Sequence, residues 1–251
     1  MTELTTRENL WEAPLACEPL DATIEIPGSK SLSNRYLVLA ALGSKPVRLE
    51  GLLRSRDTEL MMAALEQLGV ICETDTSDET SVTVVPPRAG EFRGHIRIFC
   101  GLAGTVMRFV PALALYADGP VHFNGDKQAY KRPMKPLLDG FEQLGAKITY
   151  EGVEGYLPFT VTPPTDSQLH EDRHIAIDSS ASSQFISGLL LAAARWDGEI
   201  TVTHTGKTLP SMPHIRMTMA DIVAAGGRVT YDNKTWSVPT HTVQLPSSII
   251  I

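Results

Sequence analysis

Apolar positions along this chain switch repeatedly between a period of two and a period near 3.6, the signatures of strand and helix. Three short alternating runs are predicted strands: Ala22-Thr23-Ile24-Glu25-Ile26, His95-Ile96-Arg97-Ile98-Phe99 and His174-Ile175-Ala176-Ile177-Asp178. Each runs into a loop of small residues, PGSKS, CGLAGT and SSASSQ. Each loop opens an apolar stretch with helical spacing: Leu32 to Leu42, Val106 to Tyr116 and Gln184 to Arg195. Gly43, Gly119 and Gly198 read as helix stops, and strands follow from Pro46, Pro120 and Glu199. A second helix then recurs, at Thr58 to Leu68, Met134 to Leu144 and His214 to Ala225, each ending at glycine (Gly69, Gly145, Gly226). Two closing strands complete each segment: Val70 to Glu73 with Ser81 to Val85, Lys147 to Tyr150 with Phe159 to Thr162, and Arg228 to Tyr231 with Thr235 to Val238.

The pattern is one βαβαββ unit written three times, with periods of 72 and 79 residues counted from Thr23, His95 and His174. The expected fold class is α/β (α+β), a domain of three repeats at about 21–94, 95–173 and 174–240, with a segment 1–20 before it and a tail 241–251 after it. Three equivalent helix starts would point three positive dipole ends at one region.

Composition narrows the function. With 251 residues, 43% hydrophobic and 20% charged, the chain has ordinary globular content. A net charge of −7 argues against a general nucleic-acid binder. The cations cluster nonetheless: Lys127, Lys131, Arg132 and Lys135 fall within nine residues, while Glu73, Asp75, Asp78 and Glu79 form an acidic turn. Such local positive sites suit small anionic ligands. Cys17, Cys72 and Cys100 are odd in number and lack metal spacing, which fits reduced thiols in a cytoplasmic protein without a bound metal. Met1 to Glu12 is polar and acidic, unlike a signal peptide, and the longest strongly apolar run, Phe185 to Ala194, is far short of a membrane span.

The chemistry concentrates in Pro27-Gly28-Ser29-Lys30-Ser31-Leu32-Ser33-Asn34-Arg35. A Gly-Ser loop opening a helix exposes free backbone N–H groups at the positive dipole end, an anion site before any side chain is counted. Lys30, Ser31 and Arg35 add two cations and a hydroxyl. It is not a nucleotide-binding P-loop, which needs a glycine six residues before its lysine, where Ile24 stands. The second repeat offers Gly101, Gly104 and Thr105 with Arg108 one turn in, and the third Ser182, Ser183 and Gln184. Arg132 before Pro133 and Ser211 before Pro213 join them from the second-half loops, and His214 stands at a helix start within reach of a ligand. Ser182 and Ser211 are equally readable as helix caps and Arg132 as a surface cation. No carboxylate pair is spaced for acid–base work, and His95, His122, His174 and His204 read as structural. Cys100 reads as an apolar filler.

PGSKSLSNR, GLAGTVMRF, Arg132-Pro133, SSASSQF and PSMPHI, in that order, resemble the 3-phosphoshikimate 1-carboxyvinyltransferase (EPSP synthase) family, from about Asp21 to Val238. The resemblance implies an inside-out fold of two domains with three βαβαββ units each. It implies transfer of the enolpyruvyl group of phosphoenolpyruvate to the 5-hydroxyl of shikimate 3-phosphate, in the path to chorismate and the aromatic amino acids, with no cofactor. By motif match, Lys30 resembles the lysine that contacts both substrates and supports catalysis. Ser31, Arg35, Ser182, Ser183, Gln184 and Ser211 resemble shikimate-phosphate ligands. Gly104 resembles the glycine beside phosphoenolpyruvate and glyphosate, and Arg132 the arginine that holds phosphoenolpyruvate. Leu102 and His214 depart from the family pattern, where asparagine and an aromatic hydroxyl are common.

Family chains are roughly twice this long. The resemblance therefore implies a monomeric N-terminal half, inactive alone, whose C-terminal domain is missing. Pro14 to Leu20 would have packed on that domain and is expected to be mobile or docked in a crystal contact, and Ser247-Ser248-Ile249-Ile250-Ile251 is expected to be foreign to the domain surface. Two alternatives stand beside this one: a non-catalytic phosphate-ligand-binding protein of the same fold, and the sister UDP-N-acetylglucosamine enolpyruvyltransferases, which carry a loop cysteine that Cys100 matches poorly.

Overall fold

The computed structural model describes residues 13–24, 26–88, 91–165 and 171–251. The first unit contains α1 (Lys30–Leu42), β1 (Val47–Glu50), α2 (Arg56–Gln67), β2 (Ile71–Thr74) and β3 (Val82–Val85). The second contains β4 (Ile96–Phe99), α3 (Gly104–Leu113), a 3-10 turn at Ala114–Tyr116, β5 (Val121–Asn124), a 3-10 turn at Ala129–Lys131, α4 (Lys135–Gln143), β6 (Lys147–Tyr150) and β7 (Phe159–Thr162). The third contains β8 (Arg173–Ile177), α5 (Gln184–Ala193), β9 (Ile200–His204), α6 (Met212–Ala224), β10 (Thr230–Asp232) and β11 (Thr235–Val238), and β12 (Ser248–Ile250) closes the chain.

Each unit builds one four-stranded sheet, in the orders β12-β1-β3-β2, β4-β5-β7-β6 and β8-β9-β11-β10. The first pair of each sheet is parallel and the remaining pairs antiparallel. One face of each sheet alternates buried residues: Val47 and Leu49, Val121 and Phe123, Ile200 and Val202. Against these faces lie the first helices of the units. Helices α3 and α5, and α1 beyond its polar first two turns, are apolar nearly all round, and a helix without a polar face must be buried. Leu37 to Ala41, Val106 to Leu115 without Arg108 and Pro111, and Phe185 to Leu191 without Ser187 and Gly188 are fully or almost fully enclosed apolar side chains. The second helices are one-sided; α2 buries Met61, Ala64 and Leu65 and leaves its other face to solvent.

Glycine ends the second helices as expected. Gly69, Gly145 and Gly226 have φ of +93°, +94° and +81°, the left-handed conformation that glycine adopts without penalty. The first helices are different. Gly43 caps α1 with φ −72°, and α3 and α5 end before Gly119 and Gly198 are reached. Gly119 serves a close approach instead, since a Cβ there would lie 2.3 Å from His95 Nε2.

The predicted strand at Ala22 to Ile26 is not formed. Glu25 lies outside the described residues; residues 21–24 and 26 belong to no helix or strand, with Ile24 and Ile26 79% and 80% exposed. Its place beside β1 is held by the tail that was expected to be foreign to the surface. Strand β12 pairs in parallel with β1, Leu49 opposite Ile249, in the position that β4 holds beside β5 and β8 beside β9. The Arg48 N–H donates to the Ser247 carbonyl at 2.8 Å and the Ile251 N–H to the Glu50 carbonyl at 2.9 Å. Alternation marked Ala22 to Ile26 as able to pair, but an edge accepts one partner, and the C-terminal segment occupies it. Residues 1–12 of the N-terminal segment lie outside the described residues, and Leu15 and Leu20 are exposed.

Candidate anion site at four helix starts

The starts of α1, α3, α5 and α6 come together, and buried polar side chains fix how. Asn34 Nδ2 donates to Thr105 Oγ1 at 2.6 Å, tying α1 to α3. Arg35 Nε donates to Thr218 Oγ1 at 2.7 Å, and Thr218 donates to Ser187 Oγ at 3.0 Å, tying α1 through α6 to α5. Arg35 also donates to the carbonyls of Ser31 at 2.9 Å and His214 at 3.1 Å, so the first turns of α1 and α6 share one guanidinium. Arg108 completes the ring, donating from Nη1 to Gln184 Oε1 at 3.0 Å and from Nη2 to the Pro133 carbonyl at 3.4 Å.

Arg35 was expected to touch the ligand. It is 1% exposed, with its donors turned to protein acceptors and its guanidinium over the Phe109 ring. Asp221 lies 3.9 Å from Nε. Burial lowers the Arg35 pKa to about 10 and raises that of Asp221 to about 6, each partly offset by the other. In this structure Arg35 is a buried cross-brace between the starts of α1 and α6. Ser33 and Asn34 turn inward with it, since Ser33 Oγ accepts from the Leu53 N–H at 3.1 Å and Asn34 reaches Thr105, while Ser31 stays half-buried.

The other predicted residues divide into two groups. Arg132, Ser182, Ser183, Gln184 and Ser211 line one cleft of about 480 Å³, with Arg108, Lys131 and His214. Lys30, Ser31 and Gly104 lie outside its lining, at the adjoining helix starts. Lys30 Nζ pairs with Asp57 at 2.9 Å while half exposed. Ser29, one residue earlier, caps α1 by accepting from the Leu32 N–H at 3.4 Å. The N-cap residues of α3, α5 and α6 make no side-chain cap bond. At α5 the Gln184 N–H donates instead to Ser182 Oγ at 3.2 Å, and at α6 the His214 N–H donates to the Ser211 carbonyl at 2.9 Å, so among the described residues the start of α3 is the most open to another acceptor. Ser211 adopts φ +52°, a left-handed conformation that costs a non-glycine residue about 1 kcal/mol or more and is concentrated at functional sites.

The cleft is electrostatically one-sided. Among the described residues lining it, three are cationic and none is acidic. Arg108 is 4% exposed, and burial first, then the neighbouring Arg132, lowers its pKa to about 10. Its Nε is buried without a partner among the described residues. Arg132 Nη1 donates to the Leu102 carbonyl at 2.7 Å, so the departure at Leu102 leaves that anchor intact because the backbone supplies it. Gly104 is the closest approach, since a Cβ there would lie 2.6 Å from Arg132 Nη2 and 3.1 Å from Arg108 Nη1. Two adjacent guanidiniums with no carboxylate partner among the described residues, beside the uncapped start of α3, make a site for a dianion. Of the clustered cations, Lys135 turns away to Asp139 at 3.0 Å and Glu154 at 2.7 Å. A cavity of about 550 Å³ lies at the opposite ends of α1 and α5, where the negative dipole ends disfavour an anion. Cys100 is fully buried and its thiol pushed up to about 12, which fits the filler reading.

Arg108 and His204 are the residues that sequence reasoning underused. Arg108 was noted only as one turn into its helix, and its arginine-in-an-apolar-run setting, Val106-Met107-Arg108-Phe109-Val110, was the available signal.

The family described as EPSP synthase (3-phosphoshikimate 1-carboxyvinyltransferase) matches residues 16–251. The chain belongs to the EPSP synthase family. A Bifidobacterium longum (strain DJO10A) protein named 3-phosphoshikimate 1-carboxyvinyltransferase is 60% identical over 253 residues, which span 100% of this chain and 56% of that protein. Two Acinetobacter baumannii EPSP synthase structures share the fold, with TM-scores of 0.74 and 0.72 at 24% identity, over 91% of this chain and 49% of theirs. The match includes the tail that carries β12, in keeping with that strand's place in the first sheet. No helix among the described residues is long and apolar enough to cross a membrane.

Proposed function

We propose that this chain supplies the N-terminal, phosphate-holding part of a cytoplasmic, monomeric 3-phosphoshikimate 1-carboxyvinyltransferase, binding shikimate 3-phosphate and phosphoenolpyruvate. The observation that carries this reading is the Arg108–Arg132 pair at converging helix starts, uncompensated by any described carboxylate in the cleft. Ser182, Ser183, Gln184 and Ser211 hold the shikimate phosphate and hydroxyls from one wall. Arg132 and the open start of α3 at Gly104 hold phosphoenolpyruvate, and Lys30 reaches both. In the reaction, C3 of phosphoenolpyruvate gains a proton and the 5-hydroxyl oxygen of shikimate 3-phosphate bonds to C2, losing its own proton. The C2–O bond to phosphate then breaks as C3 gives up a proton, restoring the double bond. The cations stabilise the departing phosphate.

The chain spans a little over half the length of the relative it matches, 56%. The remaining partner of this reading is a second domain that closes on the ligands and completes the catalytic groups, so this chain is expected to bind without turning over. Calorimetric titration with shikimate 3-phosphate, and then with phosphoenolpyruvate in its presence, tests the reading, with Lys30→Ala and Arg132→Ala beside the wild type. Arg35→Ala is excluded as a control because it removes a buried brace. Saturable binding weakened in both variants supports the assignment. A folded chain that does not bind, or that binds equally after both substitutions, refutes it.

A further inference from the structure

We propose that His204 is a positioning residue that holds the two ligand loops of the third unit in register, so that Ser182 to Gln184 and Ser211 address one anion; this rests on the function proposed above. His204 ends β9 and is 3% exposed. Its Nδ1 lies 3.0 Å from the Ser179 N–H, and its Nε2 lies 3.1 Å from the Thr208 carbonyl. A backbone N–H can only donate and a carbonyl can only accept, so the partners select a single form: the neutral ring, lone pair on Nδ1 and proton on Nε2.

Each bond reaches one wall of the cleft. The Ser179 carbonyl accepts from the Ser182 N–H at 3.1 Å, and Ser182 Oγ accepts from the Gln184 N–H at 3.2 Å, so the His204–Ser179 bond is the root of the chain of contacts that starts α5. Thr208 lies three residues before Ser211, whose left-handed backbone has to be held by its loop. The loops meet at Gly206, where a Cβ would lie 2.2 Å from Asp178 Oδ1 and 2.3 Å from Ser180 Oγ. Lys234 Nζ braces the same turn, donating to the Gly206 carbonyl at 2.9 Å. The charged groups around the ring are the Asp178 carboxylate, held low by the Ser180 hydroxyl and N–H, and the Lys234 ammonium. A proton added at Nδ1 would set N–H against N–H at Ser179 and release that loop. Ligand binding should therefore depend on His204 staying neutral.

The test is the affinity of this chain for shikimate 3-phosphate across an acid-to-neutral pH series, in wild type, His204→Phe, His204→Asn and His204→Gln. The phenylalanine keeps ring volume without either bond, the asparagine places an acceptor near Nδ1, and the glutamine places a donor near Nε2. We expect about tenfold weaker binding in His204→Phe and recovery in His204→Asn. Wild type should lose affinity on acidification beyond the loss that His204→Asn shows from the ligand's own titration. A folded His204→Phe chain with wild-type affinity overturns the proposal. Where His204→Phe does not fold, coincident pH profiles of wild type and His204→Asn overturn it. Absence of binding by the wild type refutes the proposed function, and this inference with it, whereas wild-type binding unaltered in all three variants refutes this inference alone.

Discussion

Gly104→Ala isolates the anion site from the stability of the fold. Gly104 is the first residue of α3, and its backbone is one that alanine also adopts. The new methyl carbon would lie 2.6 Å from Arg132 Nη2, and an ordinary contact needs about 3.4 Å. The guanidinium must then retreat by about 0.8 Å, which stretches the 2.7 Å bond from Nη1 to the Leu102 carbonyl to about 3.5 Å, the limit of a useful hydrogen bond. Losing one charge-assisted contact and its alignment costs the site about 1.5 kcal/mol, or about tenfold in affinity. The fold loses little, because Arg132 is partly exposed and flexible, and alanine is favoured over glycine in a helix by up to about 1 kcal/mol. Calorimetry with phosphoenolpyruvate in the presence of shikimate 3-phosphate, paired with thermal melting, measures both quantities. Weaker phosphoenolpyruvate binding with an unchanged or slightly raised melting temperature is expected. Unchanged affinity would show that Arg132 does not hold that ligand, and a large drop in melting temperature would show that the methyl collides with the core instead of the side-chain tip.

Two other outcomes follow from buried and edge contacts. Asp221 binds its proton more tightly folded than unfolded, about 6 against 3.8, because of burial. Its contribution is full below the unfolded value and is lost as pH rises through about 6, so wild-type stability relative to Asp221→Asn should fall by up to about 3 kcal/mol between about pH 4 and pH 7 in urea denaturation. A difference between the two proteins that is flat with pH would refute the assignment. Ile249→Asp places a charge where β12 packs against the core and should cost about 1–3 kcal/mol. It should also speed amide exchange at Arg48, whose N–H bonds to Ser247, and retained protection there would show that β12 does not hold the edge of β1.

Ala22 to Ile26 and the residues after Val238 show the limit of pattern reading. The βαβαββ period exposed all three repeats, the six helices among the described residues to within a few residues, and eleven of its twelve expected strands in place or nearly so, counting β2 and β10 as shifted by one to two residues. The exception is the first strand, because alternation measures the fitness of a segment to pair, whereas pairing is decided by which segment reaches the edge. The glycines ending α2, α4 and α6 were legible because left-handed backbone is a local requirement, while the role of Gly119 was not, because it answers to the His95 ring brought against it from another segment.

The site divides along the same line. Residue type at a helix start is local, so Lys30, Ser31, Gly104, Arg132, Ser182, Ser183, Gln184 and Ser211 were recognisable as anion-binding candidates from the chain alone, and the family from their order. What sequence could not specify was direction. Arg35 and Arg132 are both arginines near a small-residue loop, yet one is enclosed among Thr218, His214 and Asp221 and the other faces an open cleft. His204 looked like a strand residue because its two partners lie on loops that only the packed third unit brings to either side of its ring. Composition and spacing therefore determined the repeated unit and the chemical inventory, and the tertiary structure decided which charges are spent inside and which are left for a ligand, since that depends on the distance to partners far away along the chain.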